Sequence, residues 1–200
     1  MDAYERTCKR IEEAAPGELL VANEMGFDIA QVMYAMRDKA RKGCIEYVAP
    51  NIFRKPLHSQ RLNVDVPVGP SEVVPIIARL NHWTVIPSEI HCLNMLALST
   101  QVPAFYNYTS TGPDTIIQIG GHLVSFQHCG ERYITELSGR ARLLVHAMSG
   151  EERFDCSLYW ERAKRVLLED DKQLLRQHMD CVPEWIRSHM ELLIKEVNQK

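Results

Sequence analysis

The stretch from residue 28 to residue 55, DIAQVMYAMRDKARKGCIEYVAPNIFRK, predicts one helix followed by a two-stranded hairpin. Its apolar residues at i, i+3, i+4 and i+7 mark one buried helical face: Ile29, Val32, Met33 and Met36. Asp28 stands where a helix N-cap is expected, and Gly43 stands where the helix should end. Residues 44–53 then read as two short strands around a Pro-Asn turn.

The sequence before this stretch predicts two further helices. Residues 4–11 carry apolar side chains at helical spacing, and the pattern stops near Pro16-Gly17. Residues 18–25, ELLVANEM, form a short second helix. Three helices followed by a small hairpin are the element order of a winged helix-turn-helix. We therefore expect a winged helix-turn-helix domain at residues 1–60 of an α+β protein.

The outward face of the helix that begins at residue 29 is the predicted DNA-reading surface. In a helix-turn-helix the N-terminal half of this helix faces base edges, where Gln31 can read an adenine and Tyr34 can reach a base or a phosphate. Residues 37–61 hold seven Lys or Arg against two Asp or Glu. The cations expected to contact DNA are Arg37, Lys39, Arg41 and Lys42 on the helix, with Arg54 and Lys55 holding phosphates at the wing.

Residues 61–200 predict a second domain, with a β core at about 83–128 and helices over 138–200. Residues 70–82, 88–98 and 157–171 each read as a helix, the last with an apolar stripe at helical spacing. Short strands are predicted at 83–86, 104–110 and within 114–128.

The stretch from Cys92 to Gly121 carries a single charge, Asp114. We favour three strands joined by tight turns over a catalytic pocket, because the inward positions of such strands are apolar and the outward ones are uncharged and polar. A membrane span is excluded, since polar and glycine residues interrupt every apolar run well before about 18 residues.

No motif for catalysis or for a cofactor occurs in the sequence. There is no Walker A loop, no GxGxxG and no nucleophile elbow, so we expect neither an enzyme nor a cofactor. The cysteines form no CxxC pair, which favours reduced thiols that bind no metal. A Cys–His nucleophile is a third, disfavoured alternative. The cysteines are Cys8, Cys44, Cys92, Cys129, Cys156 and Cys181. The opening MDAYERTCKR is unlike a signal peptide, and we expect a cytoplasmic protein.

Four motifs in the middle of the chain resemble the AbiEi-type antitoxin and transcriptional-regulator proteins of bacteria, and more narrowly a compact branch labelled a domain of unknown function. These motifs are WTVIPS at residues 83–88, LALSTQVP at 96–103, TGP at 111–113 and IQIGG at 117–121. The segment VPEWIRSHM, residues 182–190, also resembles the closing helix of that branch. The resemblance extends over nearly the whole chain.

The resemblance implies a DNA-binding antitoxin of a bacterial toxin-antitoxin, phage-defence system. In such systems the winged helix represses the protein's own promoter, and the C-terminal part neutralises a nucleotidyltransferase-like toxin encoded alongside. Arg140 and Arg142 lie at a predicted helix start, where cations oppose the helix dipole, and we expect them on the partner surface. The oligomeric state stays open, with a homodimer among the alternatives. A protein-interaction module whose winged helix no longer binds DNA is the runner-up.

Overall fold

The computed structural model describes the backbone of residues 2–149 and 157–195, and the side chains of residues 2–149 and 162–195. Helices and several small sheets share this part of the chain, which confirms the predicted α+β class. In the described part of the chain, no helix is long and apolar enough to cross a membrane.

Internal contacts divide the chain into two compact units. The first comprises the residues up to Val74 together with Ile117–Leu123. The second comprises Pro75–Ile116 and the residues from Val124 onward. The division falls inside a helix, α3 (Pro70–Asn81). It therefore lies later in the chain than the domain boundary predicted between residues 60 and 61.

The first unit is a helix, a short strand, a second helix and a hairpin around one core. Its elements are α1 (Ala3–Glu13), β1 (Leu19–Val21), a 3-10 turn (Ala22–Glu24), α2 (Ile29–Arg41), β2 (Glu46–Ala49), β3 (Ile52–Arg54), β4 (His58–Ser59) and β5 (Val64–Asp65). Strand β3 lies in the centre of an antiparallel sheet of order β1-β3-β2. The buried residues Ile11, Leu20, Val32, Met36 and Phe53 form the core.

The predicted second helix at residues 18–25 is wrong. Leu19–Val21 forms strand β1, which pairs antiparallel with β3, and only Ala22–Glu24 makes a 3-10 turn. The physical reason is non-local, because β1 takes its hydrogen-bond partners from a strand more than thirty residues away in sequence. Local helix propensity is a weak prior that such pairing overrides.

Helix α2 begins and ends where its capping residues predict. The Asp28 carboxylate accepts a hydrogen bond from the backbone N–H of Gln31 at 3.0 Å, and Gly43 has a φ of 73°, the left-handed conformation that ends helices. The predicted buried face is wrong at two positions. Ile29 is 43% exposed and Ala35 is fully buried, because the helix turns its buried side toward Val32, Ala35 and Met36.

After α3 come a strand, a helix and three consecutive strands, and the regular elements that follow in the described chain are helices. These elements are β6 (Val85–Pro87), α4 (Glu89–Met95), β7 (Tyr106–Ser110), β8 (Thr115–Ile119), β9 (His122–His128), α5 (Tyr133–Glu136), α6 (Gly139–Ser149), α7 (Ser157–Val166), α8 (Glu169–Gln177), a 3-10 turn (Met179–Cys181) and α9 (Glu184–Lys195). The helices pack around a shared apolar cluster that includes Leu93, Ile134, Leu144, Leu175 and Met190.

The predicted strands between residues 83 and 128 are confirmed, but their order is not that of consecutive hairpins. The sheet has the order β6-β7-β9-β8, and β7 runs parallel to β9 with Tyr108 opposite Phe126. Strand β8 therefore occupies the edge of the sheet, and the TGP turn connects two strands that are not neighbours.

The TGP turn is held against Trp83. The N–H of Gly112 donates to the Ser110 hydroxyl at 2.9 Å, and the His128 ring contacts the Gly112 carbonyl oxygen at 2.8 Å. The Trp83 ring lies 5.9 Å from Phe126, which stacks in turn on Tyr108 at 5.8 Å between ring centroids. The hydrogen bonds of the turn and the contacts between the aromatic rings therefore both stabilise this sheet.

The tip of the β8–β9 hairpin belongs to the first unit. The N–H of Gly120 donates to the backbone carbonyl of Val48 in β2 at 3.0 Å. Gly120 has a φ of 52°, and a Cβ there would lie 2.7 Å from the carbonyl oxygen of Val68. Glycine is thus required at this position for two reasons, the left-handed backbone and the close approach.

The predicted single helix over residues 157–171 is broken. Helix α7 ends at Val166 and α8 begins at Glu169, because the Asp171 carboxylate accepts the backbone N–H of Leu168 at 2.9 Å and caps a new helix. The part of the predicted apolar stripe at residues 158–160 lies outside the described side chains, as does Cys156.

Candidate nucleic-acid interface

The predicted DNA-reading residues of α2 lie on one exposed face. Gln31, Tyr34, Arg37 and Arg41 follow one another at spacings of three and four residues, which places them above one another on a helix. Tyr34 is 68% exposed, and its ring lies 5.8 Å from that of Tyr4 on α1. The structure therefore brings together four of the eight residues predicted from the sequence.

Arg37 and Arg41 line a groove between α2 and the β2–β3 hairpin. Its volume is about 390 Å³, and Tyr47 and Asn51 of the hairpin line its opposite side. Among the described residues neither guanidinium has an acidic partner within 4.0 Å. Two positive charges thus face an exposed aromatic ring and an amide, which are groups suited to phosphate, base and sugar contacts.

Tyr47 and Asn51 were missed from the sequence. Tyr47 is an exposed aromatic side chain on a short strand, and it packs edge-on against Phe53 with ring centroids 5.6 Å apart. Asn51 occupies the hairpin turn with a φ of 61°, a conformation that asparagine tolerates better than most residues. The sequence did contain a signal for Tyr47, namely an aromatic residue at an outward position of the predicted wing.

Three of the predicted cations are held by the protein's own groups. The Lys39 ammonium donates to Glu12 at 2.9 Å, and this contact raises the pKa of Lys39 and lowers that of Glu12. Lys42 donates to Asp38 at 2.7 Å, and Lys55 donates to the backbone carbonyl of Ile11 at 3.1 Å. The two carboxylates reduce the positive potential of the face, and each ion pair has at least one exposed partner, so neither adds much to stability.

The Asp38 carboxylate lies between α1 and α2. It accepts the Tyr4 hydroxyl at 2.8 Å as well as the Lys42 ammonium, and these two donors lower its pKa. The only described acid on the exposed stretch of α2 is thus already occupied, so its repulsion of a phosphate is reduced.

Arg54 does not hold a phosphate at the wing, and that prediction is wrong. The residue is 2% exposed, with Glu46 of the neighbouring strand 3.5 Å from its Nη1 atom. The atoms Nε and Nη1 have no hydrogen-bond partner among the described residues. The reason is register, because the side chain of Arg54 at the end of β3 is covered between β1 and β2.

We expect Arg54→Met to leave the free energy of unfolding unchanged or to raise it by about 1 kcal/mol, and, if the protein binds DNA, to leave that affinity unchanged. An apolar side chain of similar length avoids the desolvation of a poorly paired buried charge. Urea unfolding and DNA titration of the variant check this, with Arg37→Met as the matched control that should lose affinity. Equal losses of affinity in both variants would contradict the buried, structural role of Arg54.

Arg140 and Arg142 of α6 are placed differently from each other. Arg140 is exposed, and its guanidinium lies 3.4 Å from the carbonyl oxygen of Val166. Arg142 is partly buried and donates to the carbonyl oxygen of Ile134 at 3.0 Å, while burial lowers its pKa. Arg142 therefore stabilises the end of α5, and only Arg140 presents its charge to solvent.

The histidine and cysteine residues show no convergent metal site in the described part of the chain. The five described cysteines are free thiols. Burial raises the pKa of Cys92 to about 12 and also raises that of Cys181, so neither is present as a reactive thiolate at neutral pH.

Comparison with known proteins returns one family. The model of a family described as "Family of unknown function (DUF6088)" matches residues 7–173, most of the chain. No curated protein and no solved structure matches.

Proposed function

Since the chain belongs to the DUF6088 family of unknown function, its role has to be inferred from its own residues, and we propose that it is a DNA-binding transcriptional regulator and antitoxin of the AbiEi type. The exposed face of α2, with Arg37 and Arg41 unpaired beside the hairpin, is the observation that carries the DNA-binding part of this proposal. The antitoxin part rests on the motif resemblance of residues 83–121.

The element order of the first unit supports a winged helix. A helix, a strand, a short 3-10 turn, a second long helix and a hairpin follow one another, and the first strand pairs with the second strand of the hairpin. In a winged helix the long helix before the hairpin enters the major groove and the hairpin contacts the backbone. Helix α2 and the β2–β3 hairpin occupy those positions in the chain.

Charge on this face supports phosphate contact. Neutralising a phosphate releases counterions and provides most of the affinity of proteins for DNA. Arg37 and Arg41 need break no ion pair with a described acid before they meet a phosphate, whereas Lys39 and Lys42 must each leave a carboxylate. Gln31 and Tyr34, at the N-terminal half of α2, are the residues placed to contact base edges.

We expect Arg37→Ala and Arg41→Ala each to weaken binding to DNA from upstream of the protein's own gene, and each to reduce the salt slope of log K by about one unit. Fluorescence-anisotropy titrations at several salt concentrations measure both quantities, with a scrambled duplex for specificity. Lys42→Ala, on the same helix but paired with Asp38, is the control and should have the smaller effect. Equal, weak binding of both duplexes would reject the regulator.

The runner-up function, a protein-interaction module, is favoured by a second observation. The loop within the LALSTQVP motif and just after it exposes two large apolar side chains, Val102 at 84% and Phe105 at 75%. Exposed apolar residues of this kind are common at protein contacts. Co-expression with the product of the adjacent gene tests the antitoxin role, because a neutralised toxin permits growth whether or not DNA is bound.

A further inference from the structure

The second unit contains a polar cleft that the proposed DNA binding does not use. Its volume is about 310 Å³, and the lining residues with chemistry of interest are Glu89, Glu131, Tyr133, His146, Ser149 and Trp185. They come from the start of α4, the segment before α5, α5 itself, α6 and α9. Residues far apart in sequence are thus assembled around one opening.

The floor of the cleft is a buried hydrogen-bonded chain. The Tyr133 hydroxyl lies 2.9 Å from Nδ1 of His146 and 3.1 Å from the Ser149 hydroxyl, and Nε2 of His146 lies 3.3 Å from the Thr109 hydroxyl. His146 is 2% exposed and Tyr133 is 3% exposed. Because every group has a partner, the floor is held rigidly and offers polar atoms without mobile side chains.

The floor carries no positive charge at neutral pH. Burial lowers the pKa of His146, so the ring is neutral, and burial raises the pKa of Tyr133 to about 12, so its hydroxyl keeps its proton. The nearest charged group to the His146 ring is Glu89, with Oε1 at 3.8 Å from Nε2.

The walls of the cleft carry two carboxylates and a further histidine, His128, whose ring contacts the Gly112 carbonyl oxygen at 2.8 Å. Glu89 and Glu131 line it, and none of the described lining residues is a lysine or an arginine. Glu131 makes no ion pair with another described residue, and the closest basic group to Glu89 is the neutral His146. Two carboxylates without a counter-charge favour a cationic ligand and repel an anionic one.

An aromatic side chain completes the wall. Trp185, near the start of α9, lines the cleft while 51% exposed. Tryptophan is the aromatic residue that attracts cations most strongly through the face of its ring. Carboxylates, neutral hydroxyls and an indole together match the recognition of a nitrogen cation.

We propose that this cleft binds an organic cation, an alkylammonium or guanidinium group, with Glu89 and Glu131 pairing the charge and Trp185 contacting it. The same chemistry is present in a free small cation and in an arginine or lysine side chain of a partner protein. The proposal is independent of DNA binding, since all of its residues lie in the second unit.

Calorimetric titration of the full chain with methylguanidinium at neutral pH is the direct test, with the neutral isostere methylurea as the ligand control. We expect methylguanidinium to bind and methylurea to bind at least about tenfold more weakly. Glu89→Gln should weaken methylguanidinium binding about tenfold and Trp185→Ala about threefold. Asp170→Asn, which removes an exposed carboxylate from α8 outside the cleft, should have no effect.

If Glu89→Gln impairs folding, Glu131→Gln provides a second test, because Glu131 is exposed and its replacement disturbs no core. Equal binding of methylguanidinium and methylurea, equal affinities in Glu89→Gln and Asp170→Asn, or no binding of methylguanidinium at all would each overturn the proposal. The affinities of an end-blocked Gly-Arg-Gly peptide and of the same peptide with citrulline in place of arginine distinguish a partner protein's side chain from a free small cation. Arginine peptide binding more than tenfold tighter than methylguanidinium assigns the cleft to a protein side chain, and equal affinities assign it to a free cation.

Discussion

Replacing Gly112 with alanine should lower the free energy of unfolding of the second unit by about 3 kcal/mol, the upper range for an overpacked site. A Cβ at this position would lie 2.3 Å from Cε2, 2.4 Å from Cδ2 and 2.6 Å from Nε1 of Trp83. The indole cannot move away freely, because it packs on Phe126, which is itself stacked on Tyr108.

The backbone of Gly112 cannot move away freely either. Its N–H is bound to Ser110 and its carbonyl oxygen to His128, and the neighbouring Thr111 exchanges two hydrogen bonds with Thr84. The clash must therefore be relieved by disturbing either the aromatic rings or the turn.

Urea unfolding followed by tryptophan fluorescence measures this loss. Gly130→Ala is the matched control, since a Cβ there meets no atom within 4 Å and the residue has no positive φ. The free energy of unfolding of Gly130→Ala should equal that of the unsubstituted protein or be slightly higher. Adding Trp83→Phe to Gly112→Ala should recover part of the loss, whereas strictly additive effects would place the cause of destabilisation outside this contact.

Replacing Phe53 with alanine should destabilise the first unit by about 3–5 kcal/mol. The ring is 1% exposed in the core of that unit, and few other large side chains there could close the cavity. Phe53 also packs against Tyr47 and lines the groove beside Arg37, so, if the protein binds DNA, the variant should lose that affinity together with its stability.

Tyr47→Ala separates these two effects. Tyr47 is exposed, so its removal should cost less than about 1 kcal/mol of stability. If Tyr47 contacts a base or a sugar, however, DNA affinity falls while hydrogen exchange of α2 stays unchanged. Stability close to that of the unchanged protein in Phe53→Ala would contradict the assignment of this ring to the core.

The parts of the fold that the sequence predicts are those with local signals. Asp28 and Gly43 bound α2 because caps act within one helical turn, and the β2–β3 hairpin follows from a turn flanked by alternating residues. The exposed positions of Gln31, Tyr34, Arg37 and Arg41 were predicted because helical periodicity fixes relative positions along one element.

The errors come from contacts between distant residues. Strand β1 is a strand only because β3 pairs with it, and Arg54 is buried only because strands on both sides cover it. The predicted buried side of α2 is rotated from the observed one by about one residue. Ile29 in the first turn extends beyond the core, whereas the small Ala35 faces it. The cleft around His146 joins residues nearly a hundred positions apart, and no spacing rule could reveal it.

The hairpin tip that belongs to the first unit has a consequence for synthesis on the ribosome. The backbone carbonyl of Val48 acquires its partner only when Gly120 has left the exit tunnel, so the amino-terminal unit stays incomplete while the strands and helix between them emerge. Contacts of such large sequence separation slow folding. The nascent chain therefore completes its first unit only after residue 120 has been translated.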